Sequence, residues 1–571
     1  MQRALYHLGA SRVTGQTARH LLPWNNAIDG SIRSFLSFAP TCSPSSFPPI
    51  LHSFRHDLRV RCNGKSFTRN LSDVKEADAG ALTSHDPLHF CVVGSGPAGF
   101  YTADKLLSKF GDHIQVDIMD RLPTPFGLVR SGVAPDHPGT KAVVNRFTQI
   151  MEIPVILRGN VQVRVYSTPL LPPAERGEDL ENVDFGKDIS LEDLQCRYHG
   201  VVLAYGTESD RALNVPGEDL AGVWSARELV WWYNGHPDYS TLPISLEHDT
   251  AVIFGLGNVA VDCARVLLRE VDDLAVTDMA SHAVDALRKS QVRRVVLFGR
   301  RGPAQAAFTP KELREILGLP GVKVVIHEED LTLSEAEQAH LKANRISRRV
   351  HEVLSKAVAA ASPPQPTEGA PDKELHLRFF RSPAALLPGV ADGDCGEHVT
   401  AVRVECTQVV DGRAVGTGEF EEIEAGLVLR SIGYKGEEIA GVPFDTRSGT
   451  VPNSHGRVHQ LEDPSATVPG LYTCGWLKRG PSGIIGTNLV CAEETAAVIA
   501  QDMVAGALPT PTAASPGHRG LVGLLSERGV ASIALGDWQR INHKEVERGA
   551  VKGKPRDKIV HMEDLMEAAT C

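Results

Sequence analysis

The stretch Cys91-Val92-Val93-Gly94-Ser95-Gly96-Pro97-Ala98-Gly99 decides the fold. Before it, His89-Phe90-Cys91-Val92-Val93 is a short apolar run that suits a buried parallel strand. After it, Phe100 to Leu107 reads as a helix with small and apolar residues turned inward. Between them lies Gly94-x-Gly96-x-x-Gly99. The first glycine of such a motif makes the tight turn, and the second lets a pyrophosphate approach the backbone. The third lets the helix lie close to the strand, its N-terminus facing the phosphates. A glycine-rich turn alone carries little information. Here Gln115-Val-Asp-Ile-Met-Asp120 follows as a second strand ending in an acid, the group that receives a ribose hydroxyl. The reading is a dinucleotide site.

Outward from that site, Arg121 to Pro138 is rich in proline and glycine and predicts a rigid non-helical loop. It leaves the carboxyl end of a strand, where ligands of doubly wound sheets sit. Lys141 to Met151 looks helical, Gly159 to Val165 alternates as a strand, and residues 170–190 read as a surface insertion. Tyr198 to Thr207 is another strand, closing on a Gly-Thr turn.

A second fingerprint follows. Thr250-Ala-Val-Ile-Phe254 is the strand, Gly255-Leu256-Gly257-Asn258-Val259-Ala260 the loop, and Val261 to Leu268 the helix. The next strand, Val292 to Phe298, runs into Gly299-Arg300-Arg301-Gly302. A carboxylate in that place would repel a 2′-phosphate, whereas guanidinium forks bind one bidentately. NADP(H) is therefore favoured over NAD(H). The interval from Gly255 to Arg300 exceeds the usual roughly 20 residues, which predicts an insertion near 269–290.

Thr309 caps a helix that begins at Phe308, with Pro310 in its first turn and Glu312 completing a capping box. Glu335 to Val358 reads as one amphipathic helix, with Ile346, Val350, Val353 and Ala357 as its apolar stripe. Arg345 and Arg349, four apart, share one edge of it and suggest a docking patch for an acidic protein; a solvated helix face is the alternative. Residues 360–373 form a proline-rich loop. Strands are expected near Leu375–Phe380 and Val402–Gln408, then in the run Gly426 to Tyr434. Pro469 to Gly475 is a strand, and the turn Gly480 to Gly486 opens a helix whose N-terminus can face the first dinucleotide.

Composition bounds the rest. The 571 residues suffice for two or three domains, and the net charge of −11 argues against nucleic acid as a partner. No apolar run reaches the length of a membrane span, so any association with a membrane would be peripheral. The ten cysteines are scattered without a Cys-x-x-Cys. That argues against a dithiol redox centre, a structural zinc site and a cysteine-ligated cluster, and no metal is expected. Residues 1–85 are rich in arginine and serine and poor in acids, the pattern of an organelle transit peptide. The mitochondrial matrix is the first choice of compartment and a plastid the second.

With Pro-Phe-Gly-Leu-Val-Arg130, Gly-Val-Ala-Pro-Asp-His-Pro138, Gly-Arg-Arg-Gly-Pro303, Phe-Thr-Pro-Lys-Glu-Leu-Arg-Glu315, Ser-Ile-Gly-Tyr434 and Gly-Trp-Leu-Lys-Arg-Gly-Pro-Ser-Gly483 in view, the chain from about residue 87 resembles the adrenodoxin reductase family of mitochondrial ferredoxin–NADP reductases. The resemblance implies an α/β fold of two Rossmann-like domains, the NADP domain inserted into a discontinuous FAD domain. The expected division is 86–206 and 431–571 for FAD, with 207–430 for NADP. It implies FAD contacts at Gly94, Gly96, Ala98, Gly99, Asp120, Leu128, Val163, Trp476, Gly483, Ile484 and Ile485. For NADP it implies Leu256, Gly257, Asn258, Val259, Arg300, Arg301, Glu312 and Gly483. His137 and Asp262 match polar residues at the nicotinamide end, and Arg345 and Arg349 match basic residues that dock the ferredoxin. Asp120 stands where animal members have glutamate, a mild departure. The implied activity moves a hydride from NADPH to FAD, then single electrons to an acidic [2Fe–2S] ferredoxin, as the first component of a mitochondrial electron-transfer chain.

Three other classes share parts of this pattern. A pyridine-nucleotide disulfide reductase needs a dithiol near the flavin, and no sequence spacing announces one. An FAD protein without turnover would not need Arg300 and Arg301. A glutamate synthase small-subunit type would carry a cysteine-rich segment, which the sequence lacks.

Overall fold

Strand β1 (Leu88–Val93) carries Phe90, Cys91 and Val92 fully buried, as a strand covered on both faces requires. The structure, a computed structural model, describes residues 87–151, 163–167, 188–360, 372–390, 397–530 and 532–570. The leader, most of the insertion expected at 170–190, the first part of the strand expected at 159–165 and most of the loop expected at 360–373 lie outside the described residues.

From β1 the chain turns at Gly94 into helix α1 (Pro97–Phe110), which buries Phe100, Ala103 and Leu106. β2 (Ile114–Asp120), β3 (Val163–Ser167) and β4 (Gly200–Leu203) complete the first parallel set, with β1 between β2 and β4 and β3 outside β2. The loop from 121 to 138 is not wholly non-helical as expected. Leu128–Ser131 forms one helical turn, entered through Phe126 at φ 87° and Gly127 at φ 48°. Phe126 is held there by Phe100 and Trp538, whose rings lie 5.7 and 5.9 Å away. Buried aromatic packing of about 0.5–1.5 kcal/mol per pair offsets the cost of that backbone.

The second sheet is parallel throughout. β5 (Thr250–Phe254) leads to α2 (Asn258–Leu268) and β6 (Arg294–Phe298). The extra residues between α2 and β6 form two short helices, Val271–Ala275 and Ser281–Arg288, which explains the long interval after Gly255. Helix α3 (Pro310–Leu317) and strand Val322–Ile326 follow. The helix expected over 335–358 is two helices, Glu335–Ala343 and α4 (Arg345–Ala360). Asn344 breaks it, because its Oδ1 accepts from the backbone N–H groups of Ile346 at 3.0 Å and Ser347 at 3.1 Å. Ile346 is consequently 63 % exposed, and Val350 and Leu354 carry the buried stripe.

β7 (Lys373–Arg378) sits between β6 and Val322–Ile326, and β8 (Leu427–Arg430) pairs with β5 and with Val223–Ser225. Between β7 and β8 an antiparallel sheet of Arg381–Val390, Glu397–Val410 and Arg413–Glu424 extends well beyond the strand expected at 402–408. Its last strand is exposed on both faces, so no apolar alternation marks it.

The chain then returns. β9 (Thr467–Thr473) joins β4 in parallel, giving the order Asn453–Ser454, Arg457–His459, β9, β4, β1, β2, β3. Helix α5 (Thr487–Val504) packs on α1, and α6 (Leu535–Val551) brings Trp538 to Phe126. The two crossings between the sheets meet as a ribbon, Ser209–Asp210 against Tyr434–Lys435. The fold class is therefore as read: one Rossmann-like unit inserted into another. Among the described residues no helix is long and apolar enough to cross a membrane.

Candidate functional site

At the first fingerprint, Gly94 has φ 112° and donates to Met119 O at 2.7 Å. A Cβ on Gly99 would sit 1.9 Å from Gly94 O, so only glycine lets α1 start there. A Cβ on Gly96 would meet nothing within 4 Å, which leaves open space before the α1 N-terminus. Asp120 is aimed beside it. Its Oδ2 accepts from Ser95 N and Ser95 Oγ, both at 2.7 Å, and its Oδ1 from Leu122 N at 3.1 Å. An open helix N-terminus with an oriented carboxylate beside it fits a dinucleotide's pyrophosphate and ribose.

The second fingerprint repeats this geometry with a different charge. Gly255 has φ 134° and lies against Ser431 O, while a Cβ on Gly257 would again meet nothing within 4 Å. Asn258 Oδ1 accepts from Thr309 N at 2.8 Å, and Leu256 O accepts from Ala307 N at 2.8 Å. Val259 packs on the core under this sheet. Arg300 is exposed and Arg301 partly so, and neither forms an ion pair with a described carboxylate. Two guanidinium groups beside an open phosphate cradle fit a 2′-phosphate.

The expected capping box at Thr309 is only half formed. Thr309 Oγ1 accepts from Glu312 N at 3.3 Å, but Thr309 N is taken by Asn258. The Glu312 carboxylate turns away, toward the junction between the sheets, 3.9 Å from His137 Nε2 and 3.8 Å from Arg265 Nη1.

That junction holds the densest charged cluster at the site. His137 Nε2 lies 3.0 Å from Glu315 Oε1. Arg265, fully buried, donates to Asp136 through Nε at 2.6 Å and Nη2 at 3.0 Å, and forms an ion pair with Asp262, Nη2 lying 2.8 Å from Oδ1. Burial works against the Arg265 charge, but hydrogen bonding to Asp136 and the Asp262 charge hold it above the usual arginine range. Desolvation pushes Asp262 up to about 6, with Arg265 pulling the other way. Four acids, Asp136, Asp262, Glu312 and Glu315, thus share one guanidinium, with His137 against the two glutamates, in a setting suited to positioning and proton handling. His137 and Asp262 are brought together as read. Asp136, Arg265 and Glu315 were missed, although Arg265 follows Asp262 and Glu315 follows Glu312 at one-turn helical spacing.

The remaining flavin candidates gather around the returning segment. Gly475 has φ 75°, and a Cβ there would meet Ala98 Cβ at 2.5 Å. Trp476 stacks on Tyr434 with ring centroids 5.7 Å apart. Gly483 has φ 86°, Ile484 is 72 % exposed with its N–H donating to Thr487 Oγ1, and Ile485 packs on the core of the first unit. Leu128 packs on the core of the second unit. Val163 opens β3 in register with Val116. Away from this group, Arg345 and Arg349 are both exposed on α4.

No family model matches the chain. It is 50 % identical over 495 residues to the mitochondrial NADPH:adrenodoxin oxidoreductase of Arabidopsis thaliana, covering 85 % of this chain and 96 % of that protein. The chain belongs to the NADPH:adrenodoxin oxidoreductase family. The Homo sapiens member is 42 % identical over 485 residues, covering 83 % and 91 %. Among solved structures, Mycobacterium tuberculosis FprA in complex with NADPH superposes with a TM-score of 0.72 at 35 % identity, covering 85 % of this chain and all of that one. The family read from the motifs is borne out.

Cys474 follows β9, and Cys491 on α5 accepts from Gly475 N at 3.2 Å, so the Cys491 sulfur lies beside the backbone that follows Cys474.

Proposed function

We propose that the chain carries electrons from NADPH through bound FAD to an adrenodoxin-like [2Fe–2S] ferredoxin in mitochondria. The observation that carries this reading is the contrast between the two cradles. An oriented carboxylate, Asp120, stands at the first, and two arginines without a carboxylate partner among the described residues, Arg300 and Arg301, at the second. The first suits the ribose of FAD and the second the 2′-phosphate of NADP(H). Family membership supports the same division.

When bound, FAD supplies the conversion of a two-electron hydride into single electrons. The protein's part is placement. Gly94, Gly96, Ala98 and Gly99 receive the FAD pyrophosphate at the α1 N-terminus. Leu128, Val163, Trp476, Gly483, Ile484 and Ile485 line the rest of that cofactor. Leu256, Gly257, Asn258 and Val259 receive the NADP pyrophosphate, with Glu312 and Gly483 near the reacting end. His137 and Asp262 hold or move a proton there, His137 through Nε2, held by Glu315.

Arg345 and Arg349 dock the acidic partner. Lys311 and Arg314 are also exposed, on α3, which packs on α4. The mitochondrial relatives support that compartment, and we assign the protein to the matrix, peripheral to the inner membrane at most. Steady-state kinetics of R345E/R349E test the docking. The expected result is about a tenfold or greater rise in KM for the ferredoxin and a weaker salt dependence. An unchanged KM at low salt would remove these residues from the interface.

A further inference from the structure

The backbone that carries Arg300 and Arg301 is fixed at every carbonyl. Arg381 N donates to Gly299 O at 2.9 Å, Thr407 Oγ1 to Arg300 O at 2.8 Å, Phe380 N to Arg301 O at 3.4 Å and Gln305 N to Gly302 O at 3.1 Å. Arg381 and Thr407 belong to the antiparallel sheet, and Phe380 is the corner that leads into it. That corner is tightly built. Phe380 has a left-handed backbone at φ 55°, rare for a bulky residue. Its ring lies so close to Gly302 that a Cβ there would meet Phe380 Cζ at 2.5 Å. The Arg381 guanidinium donates to Phe379 O at 3.1 Å, to Phe380 O at 3.2 Å and to Glu421 at 2.7 and 2.9 Å.

Thr407 reaches the arginine loop because its strand slips by one residue. Strand Glu397–Val410 buries Val402 and Val404 on one face, so strict alternation would bury Cys406 next. The pairing register shifts between Glu405 and Thr407, where Thr417, Gly418 and Glu419 of the outer strand stand opposite Cys406 alone. Beyond that bulge the buried residue is Thr407, 8 % exposed, with its N–H on Phe380 O at 2.9 Å. A bulge re-aims a side chain, and here the side chain is a hydroxyl turned onto the backbone of Arg300.

We propose that Thr407 is a positioning residue for the 2′-phosphate of NADPH, acting through Arg300. The proposal rests on the assignment of Arg300 and Arg301 to that phosphate. Two long side chains lose rotamer freedom when they close on a shared anion, and a backbone that also had to be ordered would add to that cost. With Gly299 to Gly302 fixed beforehand, only the side chains remain to be ordered. A hydroxyl has a single proton to donate, and Thr407 gives it to Arg300 O. Valine keeps the shape of threonine and lacks that proton, so Arg300 O loses its donor and the loop loses one of its ties. NADH has no 2′-phosphate and does not draw on this order.

Steady-state kinetics of the holoprotein carrying Thr407→Val, Thr407→Ser or Arg300→Ala, each with NADPH and with NADH, test the proposal. T407V should raise KM for NADPH about fivefold or more with kcat unchanged, and should leave KM for NADH within about twofold of wild type. T407S keeps the hydroxyl and should restore the wild-type KM. Calorimetric titration of T407V with adenosine 2′,5′-bisphosphate should show the same fold-loss of affinity, and titration with ADP should show none. T407A reports the same split if T407V does not retain its flavin. An unchanged KM for NADPH in T407V, with Arg300→Ala raising it, overturns the role of Thr407 and leaves the arginine assignment standing. A rise shared equally by NADPH and NADH, or a fall in kcat, makes Thr407 a general structural residue and overturns its role. T407S as impaired as T407V overturns it too. An Arg300→Ala protein that treats both nucleotides as wild type does overturns the arginine assignment and the proposal together.

Discussion

Arg265 of the inserted unit grips Asp136 of the surrounding one, with Nε 2.6 Å from Oδ2 and Nη2 3.0 Å from Oδ1. Arg265 is fully buried and the Asp136 side chain is only 4 % exposed, so neither charge is solvated by water. The pair places the histidine next to Asp136 against Glu315 and Glu312 on α3. It therefore couples the geometry of the two cradles to one guanidinium.

Arg265→Met removes that cation and leaves Asp136 and Asp262 facing each other's charge. Breaking a buried pair in this way costs about 3–5 kcal/mol. Urea denaturation followed by protein and flavin fluorescence should show a lower midpoint by a corresponding amount. A midpoint within error of wild type would mean that the cluster is wetter than its burial indicates.

Asp262 gives the junction a pH dependence. Its folded pKa is about 6 against 3.8 for the free group, raised first by desolvation. A raised acid contributes stability that is complete below the unfolded value and is lost as pH rises through the folded one. Relative to D262N, wild type should therefore lose stability between about pH 4 and pH 6 and run parallel to it above. Thermal melts across that range check this. Parallel curves throughout would assign Asp262 an ordinary pKa.

Arg300→Ala and Arg301→Ala should each raise KM for NADPH by roughly 10- to 100-fold, the effect of one charge-assisted contact of about 1.5–3 kcal/mol. KM for NADH, which has no 2′-phosphate, should change little. Equal losses for both nucleotides would point to a distorted cradle.

Much of this was legible in the sequence because local chemistry specified it. The strand, turn and helix around Gly94 to Gly99 need glycine for reasons of backbone reach, and Gly255 to Ala260 repeats them. The arginine pair after β6 was readable because charge alone sets its ligand preference. Other features depended on contacts that no short window contains. Glu312 looked like the second half of a capping box until Asn258, on another helix, took Thr309 N. One apolar period ran across Asn344, whose side chain nonetheless ends one helix and starts the next. Cys491 Sγ reaches Gly475 N only because the end of β9 and α5 pack together.

Helix α6 offers a further check on how the two halves hold together. Glu545, fully buried, receives Arg130 at 2.5 and 3.0 Å and Arg556 at 3.0 Å. Both arginines and Ile559 N hold its carboxylate below the usual glutamate range against the pull of burial. Glu545→Gln should destabilise the protein by about 3–5 kcal/mol, because buried cations lose their counter-charge. Limited proteolysis should then cut α6 earlier than in wild type. An unchanged cleavage pattern and melting point would place the C-terminal segment outside the cooperative unit.

The most direct measurement is cytochrome c reduction by the purified holoprotein, with NADPH and then NADH, each with and without a mitochondrial [2Fe–2S] ferredoxin. The expected result is a rate that requires both NADPH and the ferredoxin and falls as salt is raised. Flavin reduction by NADPH without any dependence on the ferredoxin would contradict the assigned partner. No flavin reduction by either nucleotide would contradict the reductase itself.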